Sequence, residues 1–361
     1  MTNPSAPVAS GVFARRDVVR WGIIGCGDVT EVKSGPGFLK AERSRLVAVM
    51  RRNGEKAADY ARRHGVPRWY DDAAALIADP EVDAVYVATP PDTHAHYAVQ
   101  VAQAGKPVYV EKPMARHAPE CDRMIAAAAA ARVPLFVAYY RRSMPRFRLV
   151  ERLLAEGSIG TITGITYRFA APFHASPAQW RVDAATAGGG HFLDLGSHVL
   201  DLIDFLTGPL TDVRGNAANL ASAYAVEDAV AVSFRTGTGA PATAAWNFAG
   251  NPAEDELALT GTRGRLSFSV FGFEPVRLAT AEGIQSLDAE RPTHVQQPMI
   301  QAVVDDLLGL RASPSTGVSA RRTSVVMDRV LEAYYGDRSA AFWEHPERWP
   351  GRRTRGGDSE K

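Results

Sequence analysis

Cysteine is scarce: 361 residues carry only Cys26 and Cys121, far apart in the chain. That count excludes a disulfide scaffold and paired-cysteine metal spacing, and it fits a reducing cytoplasm. An excess of either charge is missing too, since 41 basic and 40 acidic side chains leave a formal charge of +1. No overall field therefore favours nucleic acid or an anionic membrane as a partner. No apolar run reaches the roughly 18 residues a membrane span requires. The first seventeen residues lack the apolar core of a secretory signal. Arg15-Arg16 is followed by Asp17 and then by a short apolar run that reads as a strand, so export is the weaker expectation and the cytoplasm the stronger.

The material for cores is plentiful, with 46% hydrophobic and 22% charged residues. A chain of this length is more than one core usually serves, so two domains are expected. From 18 to 140, short apolar runs at 18–24, 46–50, 84–88, 108–110 and 134–140 alternate with helical stretches near 54–64, 72–78, 94–104 and 119–131. That alternation is how a doubly wound parallel sheet with covering helices is written. After about Arg142 the texture changes. A helix to 156, a strand near 161–169 and a strongly apolar helix near 190–206 precede strands at 228–234, 242–248, 256–260, 265–270 and 276–280. Short turns between these strands imply a large, mostly antiparallel sheet. Helices near 299–310 and 320–335 follow. The expected fold class is α/β, divided into a flexible segment 1–17, a first domain 18–141, a second domain 142–345 and a flexible tail 346–361.

Gly25-Cys26-Gly27-Asp28-Val29-Thr30 follows the first strand. Gly25 permits a tight turn and Gly27 lets a pyrophosphate approach the backbone, while Thr30 stands where a third small residue is usual. The second strand should end in an acid that binds the adenine ribose; here it ends in Met50-Arg51-Arg52. A guanidinium there pairs with a 2′-phosphate that a carboxylate would repel, so NADP (as NADPH) is expected over NAD. The alternative is an ordinary charged pair opening a solvated helix.

Thr89-Pro90-Pro91-Asp92-Thr93-His94 and Glu111-Lys112-Pro113 follow later strands of the same unit. Both therefore lie at carboxyl ends of strands, where open α/β sheets bind ligands, and Lys112 is aimed at the crevice. The candidate cofactor residues are Gly25, Gly27, Asp28, Val29, Thr30, Arg51, Arg52, Thr89, Pro90, Pro91, His94, Glu111 and Lys112. Farther on, Gly188-Gly189-Gly190 opens an apolar helix on which His191, Asp194, His198 and Asp201 share one face. A carboxylate and an imidazole one turn apart can exchange protons near neutrality. A satisfied core histidine and a metal site are the competing accounts, and no metal motif supports the second. Trp180 and Arg181, with His174, are candidates for a polar substrate pocket.

With these motifs in this order, the chain from Val18 to about Tyr335 resembles the glucose-fructose oxidoreductase / inositol dehydrogenase / rhizopine-catabolism (Gfo/Idh/MocA) family. The resemblance implies a Rossmann domain, a second domain whose open sheet forms a homodimer or homotetramer, and a tightly held nicotinamide. It implies a small polyhydroxylated substrate, a sugar, inositol or related polyol, whose secondary alcohol and ketone are interconverted. By motif position Lys112 would contact substrate and nicotinamide, Asp194 would hold the substrate, and His198 would be the acid/base, with Trp180 and Arg181 also at the substrate. Tyr140 stands at the nicotinamide pocket where an Asn is usual. A dihydrodiol or imine oxidoreductase is the alternative enzyme, and a non-catalytic NADP-binding regulator the alternative of another class.

Overall fold

The computed structural model describes residues 9–173 and 176–352. The protein forms two compact units. One takes the residues up to Ala115, Glu120–Pro145 and Arg291–Arg321; the other takes Arg116–Pro119, Arg146–Glu290 and everything from Arg322 on.

The first unit holds a six-stranded parallel sheet of β1 (Val19–Ile24), β2 (Ser44–Met50), β3 (Arg68–Tyr70), β4 (Ala84–Val87), β5 (Val108–Val110) and β6 (Leu135–Val137), in the order β3-β2-β1-β4-β5-β6. Strands β4, β5 and β6 are buried at every residue. This is the continuous apolar reading of a sheet covered on both faces. The strand order reverses at β1, which places a ligand crevice beyond the carboxyl ends of β1 and β4. Register makes that crevice a shared rim: Ile24 lies opposite both Met50 and Val87, and Val87 lies opposite Val110. The loops that start at Gly25, Arg51, Ala88 and Glu111 thus leave the sheet at one level. β3 escapes the sequence pattern because it is a three-residue edge strand with Trp69 half exposed.

Residues 291–321, expected in the second domain, belong to the first unit. The helix Gln297–Leu307 buries Met299, Ile300, Val303, Val304 and Leu307. Its Ile300 Cδ1 lies 2.6 Å from where a side chain on Gly37 would begin. An apolar helical face packs where it fits best, and periodicity says nothing about which sheet that is.

The second unit is built on eight strands: β7 (Ile162–Pro172), β8 (Thr211–Ala218), β9 (Ala229–Arg235), β10 (Pro241–Asn247), β11 (Ala249–Gly261), β12 (Gly264–Phe268), β13 (Val276–Thr280) and β14 (Gly283–Leu287). Their order is β14-β13-β12-β11-β7-β10-β9-β8, antiparallel except for the central β7–β10 pair. Burial alternates along β9 and β10, with Val230, Val232, Phe234, Ala242, Ala244 and Trp246 turned inward. β8 and β14 were not legible: the first carries Arg214, Gly215 and Asn216, and the second buries no residue, so neither shows that alternation. Trp246 is buried, meets Phe192 edge to face at 4.9 Å and leans on Tyr167 at 5.3 Å. It is the contact that seats the helix beginning at Phe192 on the inner face of the sheet.

The expected flexible ends, 1–17 and 346–361, lie partly outside the described residues, and their described parts are mostly exposed but anchored at a few points. Gly11 and Phe13 donate backbone N–H bonds to the Asp306 and Leu307 carbonyls. Trp349 is buried against Tyr335 at 4.6 Å and gives its indole N–H to the Phe342 carbonyl at 2.8 Å. Among the described residues no helix is long and apolar enough to cross a membrane.

Trp246→Ala is expected to cost about 3–5 kcal/mol in denaturant unfolding, against about 1 kcal/mol for Trp246→Phe, from the cavity each leaves. Equal losses for the two would show that the aromatic contact with Phe192 carries no weight.

Candidate active site

The glycine turn begins where β1 ends. Gly25 has φ +93° and donates its N–H to the Met50 carbonyl at 2.9 Å. A side chain there would begin 2.8 Å from Thr89 Cγ2 and 3.0 Å from the Thr89 nitrogen, so only glycine lets the two loops approach. Gly27 is the opposite case. A side chain on it would meet nothing nearer than 3.9 Å, leaving its backbone open to an incoming phosphate. These residues fit a dinucleotide. The helix that follows is short, Asp28–Val32, and a second one starts at Gly35, so the long helix that usually completes this motif is missing. Asp28 is exposed and Val29 half-buried, while Thr30 is buried with its hydroxyl on the Gly27 carbonyl at 2.8 Å. Arg51 reaches back to the turn, its guanidinium 3.4 Å from the Cys26 carbonyl. Arg52 is exposed, and Asn53 caps the helix Gly54–His64 by accepting the Lys56 N–H at 2.9 Å.

The two later loops are tied together by His94. Its ring nitrogens lie 2.7 Å from the Thr89 carbonyl and 3.1 Å from the Pro113 carbonyl. Burial pushes its pKa down while those carbonyls pull it up, and burial is the larger effect. Pro90 starts the helix Pro91–Gln103 that carries the histidine. Glu111 is buried and engaged at both oxygens: Oε1 accepts from the Tyr86 hydroxyl and from Gln296 Nε2 at 2.7 Å, and Oε2 accepts the Lys112 N–H at 3.0 Å. Its carboxylate holds the Lys112 backbone. Gln296 comes from the segment 291–321, and nothing local in the sequence links it to this loop. Tyr140 opens a short turn, Tyr140–Ser143, and is buried.

In the second unit, the motif beginning at Gly188 leads into a π-helical turn, Phe192–Gly196, before the α-helix Ser197–Thr207. Such wide turns are rare and concentrate at functional sites. Asp194 lies in that turn, half-buried, with Arg181 Nε 3.4 Å from its carboxylate. Arg181 also stacks over Trp180 at 4.4 Å, so the structure brings both with Asp194. His198 is buried, with Phe271 edge-on at 6.3 Å. His174 lies outside the described residues. The polar stripe divides. Asp201 accepts from the Thr323 hydroxyl at 3.4 Å, and Asp204 one turn on takes a two-pronged bond from Arg322 at 2.6 and 2.9 Å. Asp201 is therefore part of the packing against the helix Gly317–Tyr335, not of a reactive face.

Glu227 is the residue the sequence did not reveal. Both its oxygens lie 3.0 Å from the Gly190 N–H, and it also accepts from the Tyr335 hydroxyl. A side chain on Gly190 would begin 2.5 Å from the Glu227 carbonyl, which explains the last glycine of the run. Burial pushes the carboxyl up to about 7, against the opposing pull of the Tyr335 hydroxyl, the Gly190 N–H and the Arg338 guanidinium. An acid at the head of a strand offers no pattern from which such burial could be read.

Two family models match the chain: an oxidoreductase family with an NAD-binding Rossmann fold over residues 19–139, and the GFO/IDH/MocA C-terminal domain over 147–267. The chain belongs to this GFO/IDH/MocA family of oxidoreductases. It is 36% identical over 315 residues to oxidoreductase P35 of Formosa agariphila, covering 86% of this chain and 97% of that one. It is 29% identical to the 1,5-anhydro-D-fructose reductase of Ensifer adhaerens, covering 82% and 91%. Among solved structures, the aldose-aldose oxidoreductase of Caulobacter crescentus, complexed with glycerol, matches at a TM-score of 0.79 and 25% identity over 88% of this chain and 97% of that one.

Glu227 holds its proton more tightly folded than unfolded, where an ordinary value of 4.5 applies. The stability tied to the protonated form is complete below the unfolded value and is lost as pH rises through the folded one. Glu227→Gln imitates the protonated acid and escapes that loss. Its melting temperature relative to wild type is expected to climb between about pH 5 and about pH 8; a difference that stays constant with pH would remove the buried carboxyl from this role.

Proposed function

We propose that the protein interconverts a secondary alcohol and a ketone on a sugar, inositol or related polyol, using NADPH in preference to NADH. The observation that carries this reading is the Glu111 brace, which fixes the Lys112 backbone at the rim where the glycine turn also opens. When bound, the nicotinamide supplies or removes the hydride. His198 gives its proton to the carbonyl oxygen in the reducing direction and takes the hydroxyl proton in the other. The Lys112 ammonium stabilises negative charge growing on the same oxygen. Asp194, oriented by Arg181, accepts a hydrogen bond from a neighbouring substrate hydroxyl.

NADPH preference is supported by the Arg51 guanidinium beside the glycine turn, where a 2′-phosphate would find a positive partner at the position an acid usually holds. Assembly as a homodimer or homotetramer is supported by the outer face of the second sheet. There Thr166, Ala231, Ser233, Thr243 and Ala245 are exposed and small, which leaves a surface flat enough for a second copy. The balanced charge supports a small molecule, not a polyanion, as the partner, and the two free cysteines support the cytoplasm as the place of work.

Turnover is to be assayed on a panel of aldoses, inositols and 1,5-anhydro-D-fructose with both cofactors, following the absorbance of the reduced nicotinamide. His198→Asn and Lys112→Ala are each expected to lower kcat about a hundredfold or more; wild-type rates in both would end the assignment. Arg51→Asp is expected to raise Kd for NADPH at least tenfold and to leave Kd for NADH within about threefold, since only the first loses an ion pair. An unchanged NADPH affinity would discard Arg51 as the phosphate partner.

A further inference from the structure

The π-helical turn begins directly after His191, a residue the mechanism above does not use. His191 is 5% exposed, and its Nε2 has no hydrogen-bond partner among the described residues. Buried polar atoms are nearly always satisfied, and an exception marks strain, a place for water or a place for a ligand. The ring's surroundings are aromatic. Phe173 stacks on it at 4.9 Å and 28°, Phe248 lies at 5.7 Å, and Tyr224 meets it edge-on at 6.2 Å. Phe173 is 38% exposed, so this stack opens outward at one end. Toward the other end it continues through Phe169 to Phe271, the ring that meets His198 edge-on. Among the described residues, the charges that act on the imidazole are the Asp194 carboxylate and the Arg181 guanidinium, which form an ion pair.

An imidazole nitrogen set among aromatic faces, one turn from a carboxylate–guanidinium pair, suits a ligand that is apolar on its flat sides and polar at its edge. A cyclic polyol has that character: its C–H faces pack on aromatic rings while its hydroxyls point outward. An acyclic polyol presents no such face and loses more rotational freedom on binding. We propose that His191 is a substrate-binding residue whose Nε2 hydrogen bonds a hydroxyl of a ring-shaped polyol lying against the Phe173 side of the aromatic stack, and that it selects cyclic over acyclic substrates. This rests on the polyol reading above and narrows it. Burial lowers the imidazole's pKa. A neutral ring keeps both a donor and an acceptor nitrogen, either of which suits a hydroxyl.

Two variants test it in the full-length protein. His191→Phe keeps a ring in the stack and deletes the orphaned nitrogen; His191→Asn keeps a polar edge. In thermal unfolding without polyol, His191→Phe is expected to melt at the wild-type temperature or a few degrees higher, because an unsatisfied buried atom is removed. A drop of several degrees would mean the nitrogen is satisfied within the fold, and it overturns the proposal. In calorimetric titrations of the NADPH-loaded protein, the ring polyol 1,5-anhydro-D-glucitol, which has no carbonyl for NADPH to reduce, is expected to bind His191→Phe about tenfold more weakly than wild type, with part of the loss restored in His191→Asn. The acyclic polyol sorbitol is expected to bind the wild type at least tenfold more weakly than the ring and to change less than about twofold in the variants. Unchanged ring affinity in His191→Phe, alongside lost turnover in His198→Asn, sinks the His191 subsite alone. A wild-type protein that neither binds nor turns over any polyol of the panel sinks the wider reading and this proposal with it.

Discussion

The polar stripe of the second unit hangs on one buried contact, the Gly190 N–H held between the two oxygens of Glu227. The stretch that follows carries His191, Asp194 and His198, and its start is fixed where Glu227 fixes Gly190. The carboxyl is itself expensive to bury, which its raised pKa expresses, and the Tyr335 hydroxyl, its own backbone N–H, the Gly190 N–H and the charge of Arg338 offset part of that cost. A methyl group at position 190 would collide with the Glu227 backbone, so glycine and carboxylate constrain each other. A side chain at 190, or the loss of an acceptor at 227, would move the head of the helix.

The first unit solves the corresponding problem with hydrogen-bond register. Parallel strands that pair Ile24 with Met50 and Val87, and Val87 with Val110, bring four loops to one level before any side chain is considered. Side chains then lock the loops to each other: His94 spans from the Thr89 carbonyl to the Pro113 carbonyl, and Glu111 grips the Lys112 N–H. Positions set by a sheet are stiffer than positions set by a loop alone, and these loops inherit that stiffness.

How far this could be read in advance follows from the range of each interaction. The βαβ alternation, the glycine turn and the Glu111-Lys112-Pro113 segment are local, and the structure places them on the strands and loops expected of them. The antiparallel run β9, β10 and β12 was legible for the same reason, through its period of two. What stayed hidden is non-local or lacks a pattern. Gln296 meets Glu111 across 185 positions and Glu227 meets Gly190 across 37. The strands β3, β8 and β14 lie at or near sheet edges, where exposure erases alternation. The tail reads as frayed because its charges dominate, and charge alone does not reveal that one tryptophan of its described part, Trp349, is buried against Tyr335.

The stripe on the helix after Gly190 shows why residue type alone could not assign roles. His191, Asp194, His198, Asp201 and Asp204 are all histidine or aspartate on one stretch, and a helical projection treats them alike. They part company because of what the helix Gly317–Tyr335 offers. Arg322 and Thr323 supply donors to Asp204 and Asp201, and those two aspartates become struts. Ahead of them the π-turn widens the helix, Asp194 takes an arginine from a different loop, and the two histidines are set among aromatic rings. A helix shaped for stability alone would extend the strut pattern toward its amino end, since every buried polar group left short of partners is a loss. The wide turn, the carboxyl with a raised pKa and the imidazole nitrogen short of a partner all fall at that one end. Those costs, gathered between Gly190 and His198, set that stretch apart from the struts that follow it.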